Sequence, residues 1–141
     1  MSATSAVTVA VVFVWLGMVV AISFLEAPLK FRAPNVTLQI GLGIGRLVFR
    51  ALNAVEIAFA IVLAVTAIVG PPPIQVAAAL AVAVAALGLQ LGAVRPKLHR
   101  RSDRVLAGLD GPRSRGHYTY VGLEAIKTLA LAAGGILLLS S

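Results

Sequence analysis

Glu124 and Lys127 stand three residues apart inside an apolar segment, His117 to Leu139, that is long enough to cross a bilayer. Ionisable groups in hydrocarbon are costly and almost always face the interior of a bundle, so this pair demands partners on other helices. That requirement decides the fold class before any other feature is considered. A lone spanning helix would leave both charges in lipid. A packed bundle would not.

The other helices of such a bundle can be read in order. Ala6 to Leu25 is a run of twenty residues without a charged side chain, which matches the roughly 20 apolar residues of a spanning helix. A cleaved leader would begin with a basic segment and carry a shorter apolar core, so the run reads as a retained first helix. Glu26 closes it, and Pro28 marks its limit because proline removes a backbone donor. A second apolar run covers Val48 to Val69, and Gly70-Pro71-Pro72-Pro73 breaks it. A third, alanine-rich run extends from Ile74 to Val94, where small side chains suit close helix contact. The expected fold is therefore all-α: a polytopic four-transmembrane-helix bundle in one domain, with helices over about 6–26, 48–69, 74–95 and 117–139.

Charge placement orients it. Of twelve lysines and arginines, eleven lie in or beside two connections, 30–50 and 95–115. The short proline turn between the second and third runs has none. Basic connections stay on the cytoplasmic side, so both termini are expected outside, in a multi-pass protein of the cell membrane. The same distribution gives the net charge of +7 a partner in anionic lipid headgroups at the basic loops and excludes nucleic acid as the natural ligand. There is no cysteine, hence no thiolate chemistry.

Gly41, Gly43 and Gly45 have the spacing GxGxG with no strand before them, which is not a dinucleotide fingerprint. They read as a flexible or re-entrant entry to the second helix, with Gly41 and Gly45 four apart and able to admit a close neighbour. Gly134-Gly135 is expected to loosen the last helix. Asn35-Val36-Thr37 matches a glycosylation acceptor but falls on the side assigned to the cytoplasm.

With this topology the polar intramembrane residues gather toward the cytoplasmic ends. Glu26 ends the first helix, Asn53 and Glu56 lie within the second, Gln90 is near the end of the third, and Glu124 and Lys127 are within the fourth. Tyr120, Glu124 and Lys127 share one helical face, which His117 continues outward. Gln75 sits apart at the outer rim. Three readings fit this constellation: an internal network in which Lys127 neutralises Glu124 or Glu56, a pocket that binds or conducts a small cation, a proton or a lipophilic cationic solute, and, last, a catalytic carboxylate site. The candidate site residues are Glu56, Glu124, Lys127, Glu26, Asn53, Gln90 and His117. Trp15 lies deep in the first run and reads as packing.

Metal and cofactor chemistry finds no support. Di-iron bundles use Glu-x-x-His on two helices, whereas Glu124 is followed at that position by Lys127. The two histidines, His99 and His117, lie near or beyond the membrane edge, where they would hold a haem poorly. No motif binds a nucleotide or positions a nucleophile, so the chain is not expected to be an enzyme. The alternative to a binding or transport role is a non-catalytic accessory subunit of a larger membrane complex. A homo-oligomer is the expected state for a carrier, because four short helices hold a pocket more readily than a complete path.

Trp15-Leu16-Gly17, Lys30-Phe31-Arg32-Ala33-Pro34, Leu47-Val48-Phe49, Arg95-Pro96 and Arg115-Gly116-His117 form a series along most of the chain. In these short motifs the chain resembles a four-helix transmembrane family that includes vertebrate proteins linked to platinum-drug tolerance and a bacterial domain of unknown function. The Glu124–Lys127 pair and the short proline turn depart from that family's pattern. The resemblance implies a four-helix membrane fold and assigns no catalytic or ligand residue.

Overall fold

A computed structural model describes residues 1–94, 96, 100, 103 and 115–141; of these, the side chains of 94 and 115–117 are not described. The described residues form four long helices, the first three joined by short connections, with no strand among them. All four are long and apolar enough to cross a membrane. Helix α1 is the continuous helical stretch Ala3–Arg32, α2 is Leu38–Val69, α3 is Ile74–Leu89 continued by Gln90–Val94, and α4 is Arg115–Ser140.

The helices run up, down, up and down. The start of α1 meets the end of α2, where the methyl of Thr4 approaches Gly70. At the opposite, basic end, the last turn of α1 packs on the first turns of α2. Helix α4 packs most extensively on α3 and also on α1, while α1 packs on α2. Helices α2 and α3 touch little, and the backbones of α2 and α4 do not pack closely. The apolar core is Val12, Trp15, Val19, Leu63, Val76, Leu80, Ala83, Leu87, Leu131 and Leu138. Apolar side chains also cover much of the outer surface, as expected where the solvent is lipid rather than water.

Three boundaries differ from the sequence expectation, each for a local reason. The first helix does not stop at Glu26. It widens into a π-helical stretch over Val20–Glu26, in which the Ala27 amide donates to the Ile22 carbonyl five residues back. The wider turn admits Pro28 at the start of a further α-helical turn, Ala27–Leu29, and a 3-10 turn, Lys30–Arg32, then ends the helix. A π-bulge is one of the few ways a helix takes up a local irregularity without ending.

The second helix begins ten residues earlier than its apolar run. Asn35 adopts a left-handed backbone (φ 68°), a conformation asparagine tolerates better than most residues, and turns the chain into an N-cap. The Thr37 hydroxyl accepts from the Ile40 amide and starts the helix at Leu38. The glycine segment is thus helical rather than re-entrant. The Phe31 ring lies directly over Gly41, in space a β-carbon would occupy, and Lys30 Nζ lies 3.0 Å from where the Gly45 β-carbon would stand. Glycine is unfavourable inside a helix, and here this close approach offsets that cost.

The last helix is unbroken through Gly134-Gly135 to Ser140. Phe13 of α1 and Leu80 of α3 fill the space beside these two glycines. What looked like a loosening point is a contact surface for both neighbours.

Candidate functional site

Helix rise alone puts the polar residues at one height. At 1.5 Å per residue, Trp15, Glu56, Gln90 and Lys127 each lie roughly 18–24 Å from the non-basic end of their helix. In a hydrocarbon core of about 30 Å this is past the middle, toward the basic end. Rotation about each helix axis then decides whether they meet, and they do. All four helices contribute to one buried cluster between them.

Lys127 is its centre. Its side chain is fully buried, as are those of Glu56 and Gln90, with Glu124 at 1% exposure. The ammonium nitrogen donates to Glu56 Oε2 on α2 and, at 2.8 Å, to Gln90 Oε1 on α3, and it forms an ion pair with Glu124 Oε1 on its own helix at 2.6 Å. Three contacts match the three protons of an ammonium group in number. Lysine is long enough to span from α4 to α2, and the Lys127–Glu56 pair holds together two helices whose backbones stay apart.

The two carboxylates are served unequally. Glu124 Oε1 receives Lys127 and, at 3.3 Å, the Gln90 amide, while Oε2 receives the Ser23 hydroxyl of α1 at 2.7 Å. Glu56 Oε2 receives Lys127 together with the indole N–H of Trp15 at 2.8 Å. Glu56 Oε1 is buried and has no hydrogen-bond partner among the described residues. One helical turn earlier, the buried Asn53 Oδ1 is in the same condition. Gln90 also donates to the Tyr120 carbonyl at 3.3 Å, which ties the fourth helix to the third beside the cluster.

Toward the basic end the lining becomes aromatic and cationic. The Tyr120 ring meets Phe49 edge to face at 5.9 Å, and Lys30 Nζ lies 5.9 Å from the centre of the Phe49 ring. Glu26 is half-buried nearby on α1, with Oε2 enclosed and without a hydrogen-bond partner among the described residues. At the surface Arg46 pairs with Asp103 at 2.6 Å, which links the start of α2 to the third connection.

Of the residues singled out from sequence, Glu56, Gln90, Glu124 and Lys127 thus share one hydrogen-bonded group, and Asn53 is adjacent on α2. Glu26 stays outside that group; Ser23, one turn before it, makes the contact that α1 was expected to supply through its carboxylate. The His117 side chain and all of His99 lie outside the described residues.

Two members were missed. Trp15 packs against Phe59 but also donates to Glu56, so packing is only part of its role. The available signal was its indole N–H, a donor that needs an acceptor wherever it is buried. Ser23 gave a weaker signal, since a serine in a helix can satisfy itself on its own backbone. No group of three or more histidine, cysteine, aspartate or glutamate side chains among the described residues is placed to hold a metal ion.

Comparison with protein-family models, with curated proteins and with solved structures gives no match to this chain.

Proposed function

We propose that this chain is a small multi-pass protein of the cell membrane that binds or carries a small cation, a proton or a lipophilic cationic solute at the carboxylate cluster, and that the cluster faces the cytoplasm. One observation carries the reading: two carboxylates and a single ammonium are buried together, which leaves one negative charge unbalanced. A structural pair needs only one carboxylate per lysine. The second carboxylate, placed in hydrocarbon at considerable cost, calls for a positively charged occupant.

The orientation rests on the basic residues of the first and third connections, which belong on the cytoplasmic side next to anionic headgroups. Both termini then lie outside. Cysteine labelling of intact cells tests this. A cysteine introduced at Ser140 should react with an impermeant reagent, and one at Ser102 should be shielded; the reverse pattern would turn the pocket outward.

A carrier of four helices needs a second copy to complete a path, so a homo-oligomer is the expected form. Gentle extraction followed by sizing and mass analysis tests the reading. An oligomer of this chain alone should appear, with thermal stability that responds to pH or cation concentration in wild type and not in Glu56→Gln or Glu124→Gln. Stoichiometric co-purification with large unrelated subunits, with both substitutions tolerated, would instead establish an accessory subunit.

A further inference from the structure

We infer that the occupant of the cluster is a single proton, carried at neutral pH on Oε1 of Glu56 and donated to Oδ1 of Asn53. This rests on the binding reading above and names its ligand.

The hydrogen-bond inventory locates the proton. Lys127 is engaged by hydrogen bonds to Glu56 and Gln90 and by an ion pair with Glu124. Both oxygens of Glu124 already receive donors, from Lys127, Gln90 and Ser23, which is the environment of an ionised carboxylate. Glu56 differs. Its Oε2 accepts two hydrogen bonds, yet its equally buried Oε1 accepts none from the described residues. Asn53 Oδ1, three residues earlier on the same helix, is a second buried acceptor without a donor. Residues three apart on a helix stand roughly 5–6 Å apart at their β-carbons, within reach of each other's side chains. Both atoms are buried acceptors without a donor, carried on side chains that this spacing brings within reach of one another. Protonation turns Glu56 Oε1 into a donor and satisfies both atoms with one bond.

Charge balance requires the same proton. Two carboxylates and one ammonium sum to −1, and one proton taken from cytoplasmic water brings the buried group to neutrality. A metal ion would neutralise the charge as well, but hard cations take six or more oxygen ligands, and among the described side chains of the cluster only these two acceptor atoms of α2 are open. The other described ionisable side chains toward this end are Glu26, Lys30 and Arg32 on α1, Arg46 and Arg50 on α2, Arg100 and Asp103 beyond α3, and Tyr118 and Tyr120 on α4; α3 contributes only the neutral Gln90. None of these ionisable side chains is hydrogen-bonded to Glu56 in the described set.

Infrared difference spectroscopy of the full chain in lipid nanodiscs tests the inference. At neutral pH the wild type should show one carbonyl band of a protonated carboxylic acid per chain, sensitive to deuterium exchange. The band should vanish in Glu56→Gln. It should vanish equally in Glu124→Gln, although Glu56 is retained, because the remaining carboxylate is then balanced by Lys127 alone. Asn53→Leu should keep the band and move its frequency, and this arm decides the matter if either glutamine variant fails to fold. A wild-type protein with no such band at neutral pH overturns the proton. A band that Asn53→Leu leaves unmoved overturns its placement. If the band is absent while sodium or potassium still stabilises wild type and not Glu56→Gln, the proton fails and the binding reading stands. If neither pH nor cation changes stability, both fail.

Discussion

Replacing Lys127 by methionine should destabilise the bundle by about 3–5 kcal/mol, the range seen when one partner of a buried ion pair is removed. The substitution keeps the length of the side chain and deletes only the ammonium. Glu56 loses one of the two donors to its Oε2, Glu124 loses its charged partner, and the Lys127–Glu56 link between α2 and α4 disappears. With Glu56 protonated, Glu124 is then left as a negative charge without a cation in a dry site. The size of the loss should therefore depend on pH. As pH falls and the carboxylates take up protons, the unbalanced charge is removed and the variant should recover part of its stability. Adding Glu56→Gln and Glu124→Gln to Lys127→Met should recover stability at neutral pH by the same logic. Reversible unfolding in mild detergent across a pH series measures all three variants. A Lys127→Met protein as stable as wild type at neutral pH would show that the ammonium does not hold the cluster together.

Gln90→Leu should be the next most damaging change, at about 2–4 kcal/mol, since hydrogen bonds to charged groups contribute more than neutral ones and a buried donor left unmet adds its own desolvation cost. Gln90 is the only residue in the cluster that serves both signs of charge. Its carbonyl accepts from Lys127 and its amide N–H donates to Glu124 and to the Tyr120 backbone. Leucine conserves most of the volume, so packing contributes little to the loss. The ammonium is left with one unmet proton, and α4 loses its polar tie to α3. A double-mutant cycle with Glu124→Gln isolates the shared part. Purely additive effects of Gln90→Leu and Glu124→Gln would mean that the two side chains act independently, contrary to their contact.

Much of this protein could be read from its residues. The four apolar runs announce four spanning helices because length and hydropathy act locally, one segment at a time. The inward direction of Glu56, Gln90, Glu124 and Lys127 was equally legible, since each of those side chains by itself is excluded from lipid. The boundaries were less so. Pro28 reads as a stop, but a π turn widened the helix and carried it to Arg32. Gly41 to Gly45 reads as a flexible or re-entrant entry, but Thr37 caps a helix there, Phe31 lies over Gly41 and Lys30 lies beside Gly45. In both cases a neighbouring group offsets a local penalty, and sequence propensity counts only the penalty.

The sequence by itself determined that four helices are long and apolar enough to cross a membrane, and which charges such helices must hide. Each of those follows from the free energy of a single segment or side chain in hydrocarbon. Which atoms meet was decided by the tertiary structure alone. Helical periodicity relates Glu124 to Lys127, but nothing in it relates Lys127 to Glu56, Trp15 to Glu56 or Ser23 to Glu124, because those contacts depend on how four helices are rotated and shifted against one another. The consequence that matters most, one buried oxygen of Glu56 and one of Asn53 left without a donor one helical turn apart, emerges only after the other donors in the cluster have been assigned.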